Sequence, residues 1–397
     1  MTKKYSPLFL VILLFLAGCE GFFGTKTSTE FLDEPVFEDQ TVAYVPIQPV
    51  IDDLSRPVDI IAGWDELIYV ADEGTNEIIS FDQAGNELGR FSIPGLGAIA
   101  QDRRLDLLAA GTVDTTISGT NFTLPAIYRI DLNKGGPYGL DNASIKTILI
   151  HPFYFKSSTP TTSDEQVQFH GIAPVGNNKY YVSRSGPSNN PNQFGGPDNA
   201  VLLFDEDDVL ETPVFVNTNL GLFRNYFQEP FGITTFAQPP QSPAVSLRGD
   251  FIFTSLSEQS VLKVQGIRLA ESAFGASFEV INFAIGDSNQ ADRFLYEPDR
   301  FASPVDVTIA GDGTRYIFVV DAEKDSLFQF NALGYEGANP PPGSRSNKAV
   351  LASFGGTGIG LKEFNEPRGV AYLDRIVYVA DAGNGRILRF QLTTDFE

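Results

Sequence analysis

A spacing of six residues recurs along this chain and constrains its fold more than any other feature. Arg56-Pro57-Val58-Asp59-Ile60 is followed by an apolar run at 67–72 and another at 78–82. Ser303-Pro304-Val305-Asp306-Val307 is followed by runs at 316–321 and 327–331, and Glu366-Pro367-Arg368-Gly369-Val370 by runs at 376–381 and 387–391. In all three, six residues lead from the Asp closing the second run to the first apolar residue of the third: Asp72 to Ile78, Asp321 to Leu327, Asp381 to Ile387. A fourth copy, starting at Pro230, keeps that interval from Ser255 to Val261 without the Asp. Two looser copies start at Leu96 and His170, and there the interval is seventeen, from Ala110 to Ile127 and from Arg184 to Val201. Self-similarity at a fixed period marks a repeat architecture, and insertions confined to one loop position are what a radial repeat tolerates.

Each unit reads as three or four short strands rich in Ile, Val, Phe and Tyr, separated by Gly, Asp and Asn turns. One four-stranded sheet cannot bury both faces alone, so six such units predict an all-β, six-bladed β-propeller over residues 41–397. Fourth strands are expected at 87–93, 144–150, 213–216, 278–285 and 348–354. The last unit has no room for one. The strand-like segment 41–51, otherwise unemployed, is expected to complete the sixth blade and close the ring, removing an open sheet edge.

Phe354-Gly355-Gly356 and Phe364-Asn365-Glu366-Pro367-Arg368-Gly369-Val370-Ala371, continuing through Tyr378-Val379-Ala380-Asp381, Asn384 and Arg386-Ile387, resemble an NHL repeat. The copies at 57–89 and 304–334 resemble it less strongly. The other three, with Ala110, Arg184 and Ser255 in place of the Asp, do so mainly by position. The resemblance implies an NHL-like propeller whose first strand in each blade lines a central channel. Its mouth is then formed by Val58, Leu96, His170, Phe231, Val305 and Arg368, followed by Asp59, Gly97, Gly171, Gly232, Asp306 and Gly369. The candidate binding residues of the channel are Asp59, His170, Phe231, Asp306 and Arg368.

Composition narrows the chemistry. Some NHL-like relatives are lyases or lactonases with a channel metal. This chain has only two His, at 151 and 170, so it cannot build a three-His zinc site. No cofactor or metal is expected, although calcium on carboxylates and carbonyls stays open as an alternative. There is no Gly-x-Ser-x-Gly elbow for a serine hydrolase, and no residue is nominated as catalytic. With 50 acidic against 28 basic residues and a net charge of −22, a nucleic-acid partner is excluded for want of a basic face. Asp72, Asp321 and Asp381 read as turn-capping residues that bond the following loop.

The N-terminus has its own pattern. Lys3 and Lys4 precede an almost unbroken apolar run at 7–16, too short to span a bilayer and suited to a signal peptide. It ends in Leu16-Ala17-Gly18-Cys19, which resembles the bacterial lipobox. That resemblance implies cleavage after residue 18 and lipidation of Cys19, the chain's single cysteine. Residues 19–40 then read as the lipidated cysteine and a flexible tether. Glu20, following the cysteine, favours outer-membrane localisation by analogy with lipoprotein sorting, on a face left open. The whole pattern looks like extracytoplasmic lipoproteins of the Bacteroidota.

Two inserted loops remain, 112–125 and 185–198, the second polar and rich in Pro and Gly with Phe194 at its tip. Long loops on a rigid scaffold commonly carry function. The leading expectation is therefore a membrane-anchored binding or scaffold subunit of an outer-membrane protein assembly. The alternative is a ligand-binding, hydrolytic or lyase propeller with a channel metal, acting on peptide- or glycan-derived molecules.

Overall fold

The computed structural model describes residues 42–151, 160–192, 196–239, 249–272, 275–341, 343–344 and 346–395. The segments expected to be a signal peptide and tether, with Cys19, and the loop residue Phe194 lie outside the described residues. Everything below concerns the compact unit Thr41–Glu397.

Six sheets follow one another along the chain. Blade one comprises β2 (Pro57–Ala62), β3 (Ile68–Asp72), β4 (Glu77–Phe81) and β5 (Glu87–Ser92), in that spatial order. Blade two comprises β6 (Ala98–Gln101), β7 (Leu107–Ile117), β8 (Thr120–Asp131) and β9 (Ser144–Ile150). Blade three comprises β10 (Gln168–Pro174), β11 (Tyr180–Ser185), β12 (Ala200–Phe204) and β13 (Leu210–Pro213). Blade four has β16 (Pro230–Thr235), β17 (Phe251–Ser255), β18 (Val264–Ser272) and β19 (Gly275–Val280). The hairpin β14 (Val216–Thr218) and β15 (Gly221–Phe223) extends its outer edge. Blade five has β20 (Pro304–Ile309), β21 (Ile317–Asp321), β22 (Ser326–Phe330) and the two-residue β23 (Phe354–Gly355). Blade six has β24 (Pro367–Leu373), β25 (Ile376–Asp381), β26 (Arg386–Leu392) and, as its outermost strand, β1 (Tyr44–Ile51).

The first strands β2, β6, β10, β16, β20 and β24 each pack against the next, and β24 returns to β2, so the ring closes on itself. The clasp is the expected one. Strand β1 pairs antiparallel with β26 from Tyr44 opposite Leu392 to Ile51 opposite Ile387. Buried Tyr44 donates its hydroxyl to Gln329 at 2.9 Å, reaching from blade six into blade five.

The core is distributed. Six hydrophobic clusters each fill the space between two adjacent blades, as where Ile60, Val70 and Ile79 of blade one meet Ala371, Tyr378 and Ile387 of blade six. A middle strand covered on both faces needs a continuous apolar run rather than an alternating one, and β3 and β21 are buried at every position.

Five boundaries differ from expectation, one of them the blade-four edge strand, which is Gly275–Val280 and not 278–285. The blade-three edge strand is Leu210–Pro213, not 213–216. Asp205 accepts the N–H groups of Asp207 and Val209, closing the turn early, and Val216 pairs in parallel with Phe278 of blade four instead. The segment 348–354 contributes only Phe354 to β23, because Ala349 donates to the Gln290 carbonyl and Val350 bridges Ala338. The third strand of blade four starts at Val264, leaving Val261 63% exposed. Residues 112–125 are no loop either: Thr112 pairs with Pro125 and Ile117 with Thr120, so the insertion lengthens β7 and β8 into a projecting hairpin.

Candidate functional site: the channel mouth

Proline opens the innermost strand in four blades and sits opposite the residue that ends the second strand: Pro57 opposite Asp72, Pro230 opposite Ser255, Pro304 opposite Asp321, Pro367 opposite Asp381. Those aspartates fix where the innermost strand begins. Asp72 accepts the N–H groups of Ser55 and Arg56 at 2.7 and 2.8 Å, together with that of Gly74 at 3.0 Å. Asp321 accepts Ala302 and Ser303 at 2.7 and 3.0 Å, and Asp381 accepts Asn365 at 2.7 Å and Arg386 Nε at 2.7 Å. The expected bond to the backbone of the following loop is present at Asp72 and Asp321, whereas Asp381 reaches that loop only through Asn384 Nδ2. At all three a second set runs to the segment before the innermost strand.

Directly after each opening position the register slips. The pairing passes over Val58, His170, Val305 and Arg368, and in blade four over Phe231 with Gly232. A bulge of this kind re-aims a side chain out of the sheet. With Leu96 of blade two, these residues line one cavity of about 550 Å³, and Asp59 and Asp306 line it too. All five channel residues nominated from sequence thus share one cavity.

Their neighbours divide them into two groups. In the first, the His170 imidazole stacks on Phe231 with ring centroids 4.4 Å apart and 27° between planes, and its Nε2 lies 2.7 Å from Ser185 Oγ. The Arg368 guanidinium, from blade six, lies 5.7 Å from the centroid of the same Phe231 ring. Burial, followed by repulsion from Arg368, pulls the imidazole down to about 4, so it is neutral near pH 7. Burial also lowers the guanidinium, with Arg56 contributing repulsion.

The second group is the carboxylate pair. Asp59 accepts the N–H of its neighbour Ile60 at 2.8 Å and that of Ile99 in blade two at 2.7 Å. Asp306 accepts Val307 at 2.8 Å and Val370 in blade six at 2.8 Å. Each therefore ties its own blade to the next. Burial pushes Asp59 up to about 7, and burial with repulsion from Asp59 pushes Asp306 well up.

Sequence reasoning passed over what the glycines at the following position do. A Cβ on Gly232 would stand 2.7 Å from the Asp306 Cα, and one on Gly369 3.0 Å from the Asp59 Cα. Glycine there lets innermost strands approach closely enough for the ring to close. Trp64, at the end of β2, also lines the cavity, with Arg103 5.4 Å from its ring. A solitary tryptophan just past a strand gave no spacing signal. Among the described residues no three His, Cys, Asp or Glu side chains converge as a metal cage would require.

Residues 364–390 match the NHL repeat. No curated protein matches the chain at a significant level. Among solved structures, an auxiliary nutrient binding protein from Bacteroides thetaiotaomicron VPI-5482 aligns with a TM-score of 0.50 at 13% identity, over 85% of this chain and 69% of that one. A streptogramin B lyase aligns at 0.45 and 14% identity over 90% and 100% of the two chains. Regucalcin, a calcium-binding protein from Agrobacterium tumefaciens str. C58, aligns at 0.49 and 9% identity over 86% and 92%. At such identities the likeness is one of fold. Fold and channel together define a six-bladed, NHL-like β-propeller.

Proposed function

We propose that this propeller acts by binding, as a lipid-tethered subunit of an outer-membrane assembly, with recognition centred on the channel mouth. One observation carries the preference for binding over chemistry: every carboxylate oxygen of Asp59 and Asp306 already accepts a backbone N–H. The imidazole beside them is neutral and far too weak a base for work near pH 7. What is left is a walled cavity with an aromatic platform and a cation, the composition of a recognition site. The protein partner is expected at segment 185–198, which starts at the Ser185 that touches His170. Membrane attachment through Cys19 and the outer-membrane address rest on the sequence of residues 3–20.

The test is metal content together with fractionation. The purified full chain should carry no stoichiometric calcium or zinc, and Cys19→Ser should release it from the membrane fraction. A stoichiometric metal lost on Asp59→Ala with Asp306→Ala would overturn the binding reading in favour of a channel-metal enzyme. Unchanged membrane association of Cys19→Ser would overturn the tether.

A further inference from the structure

Arg368 is short of partners for a guanidinium set into a cavity wall. Among the described residues its one polar contact is Nη1 to Glu366 Oε1 at 3.5 Å, and that same oxygen is held at 2.8 Å by Nη2 of Arg56. Arg56 also holds Glu73 at 3.1 Å. The guanidinium has five donors in a rigid fork, so most of its donor capacity is unused. The other acidic groups lining the cavity are already engaged, Asp59 and Asp306 by backbone N–H groups and Glu73 by Arg56.

Around this cation the cavity also presents aromatic and apolar side chains. Phe231 lies under the guanidinium, His170 stacks neutral on Phe231, Val58 and Val305 take the bulge positions of blades one and five, and Leu96 lies just ahead of β6. A forked donor set matches a carboxylate in bidentate fashion, and an aromatic platform matches a planar or apolar body attached to it.

We infer that the channel mouth binds a carboxylate carried on a planar apolar group, with Arg368 gripping the carboxylate and Phe231 and His170 supporting the ring. The inference rests on the binding reading above and supplies its ligand chemistry. Such a group has two sources: a free aromatic acid, or the C-terminal carboxylate of a chain ending in an aromatic residue.

The experiment is calorimetric titration of the full chain, purified in detergent, with benzoate, benzamide, N-acetylphenylalanine and N-acetylphenylalanine amide. Trp64, the only tryptophan and part of the same cavity, gives a second readout by fluorescence. Each acid should bind about ten-fold or more tightly than its amide, the difference a charge-assisted hydrogen-bond pair makes. Arg368→Gln should erase that preference. Arg368→Lys, which keeps the charge without the fork, should retain part of it and guards against a folding defect in the first variant. Tighter binding of N-acetylphenylalanine than of benzoate identifies a chain terminus as the source, and the reverse order a free acid. Equal binding of acid and amide, or an acid preference that survives Arg368→Gln, overturns the inference. Failure of the underlying reading looks different: it appears as stoichiometric metal in the purified chain.

Discussion

Asp306 in blade five accepts the backbone N–H of Val370 in blade six at 2.8 Å, and through that bond one blade is tied to the next beside the channel. Asp59 makes the equivalent bond from blade one to Ile99 in blade two. Replacing either by Ala strands two N–H groups in a water-poor wall, at a cost of about 1–3 kcal/mol. Because the two carboxylates repel, each single variant also relieves that repulsion, so the double variant should lose more than the sum of the two. Denaturant titration of the two single variants and the double variant checks both statements, and simple additivity would remove the repulsion.

The same groups set a pH dependence whose sign can be worked out. Asp59 and Asp306 have folded-state values above those of an unfolded chain, so their contribution is fully present below about pH 4 and is lost as pH rises, for Asp59 through about 7. His170 is shifted the other way, and its contribution is present above about pH 6.5 and lost as pH falls toward 4. Two acids outweigh one imidazole, so wild-type melting temperature should fall between about pH 4 and 7. In Asp59→Asn with Asp306→Asn the slope over the lower part of that window should reverse. Thermal melts across the window decide it, and an unaltered slope would assign the effect to other groups.

The strand-end aspartates should be the most sensitive surface-distant positions in their blades. Asp381 is fully buried and holds Asn365 N–H, Asn384 Nδ2 and Arg386 Nε. Asp381→Ala deprives Arg386 Nε and a backbone N–H of their acceptor at once, while the Arg386 Nη groups keep their carbonyl partners, for a loss of about 3 kcal/mol. Ser255, at the same position in blade four, instead donates to the Gln228 carbonyl at 2.5 Å, and Ser255→Ala should cost only about 1 kcal/mol. Comparable losses in the two variants would show that the charge is incidental.

Ring closure gives a third pair of substitutions. Tyr44 packs edge-on against Phe318 and tilted against Phe354, with centroids 6.5 and 5.6 Å away. Tyr44→Ala should cost about 3–5 kcal/mol from the lost packing. Tyr44→Phe, which gives up only the bond to Gln329, should cost about 1 kcal/mol. If the two variants melt together, the clasp is held by that hydrogen bond and not by the rings.

The sequence exposed the repeat because Asp72, Asp321 and Asp381 each do the same backbone job, and that job demands a carboxylate at a fixed distance from the next strand. Where Arg184 stands instead, it reaches the carbonyls of Pro197 and Asp198, and the motif fades although the blade does not. Edge strands are less legible, since short outer strands are placed by partners outside their own hairpin: Val216 pairs with Phe278, and Val350 with Ala338. At the channel, alignment of the units was enough to name the residues that share the cavity. It could not show that Arg368 reaches past blade five to Phe231 in blade four, nor that Asp59 and Asp306 are occupied by neighbouring backbones. Both depend on the curvature of the ring, which no linear spacing encodes.

The clasp has a consequence for how this molecule is made. Ala43 donates to Thr393 across 350 positions of chain, and the pairing of β1 with β26 spans nearly the whole sequence. Synthesis runs from the N-terminus, so the first strand made must wait, edge unpaired, for one of the last. Contacts of such separation form late and slowly, because the loop they close is long. Until the ring closes, the apolar residues that pack together in it, Ile60, Val70 and Ile79 of blade one and Ala371, Tyr378 and Ile387 of blade six, do not cover each other. That interval is when the chain is most exposed to association with another copy of itself.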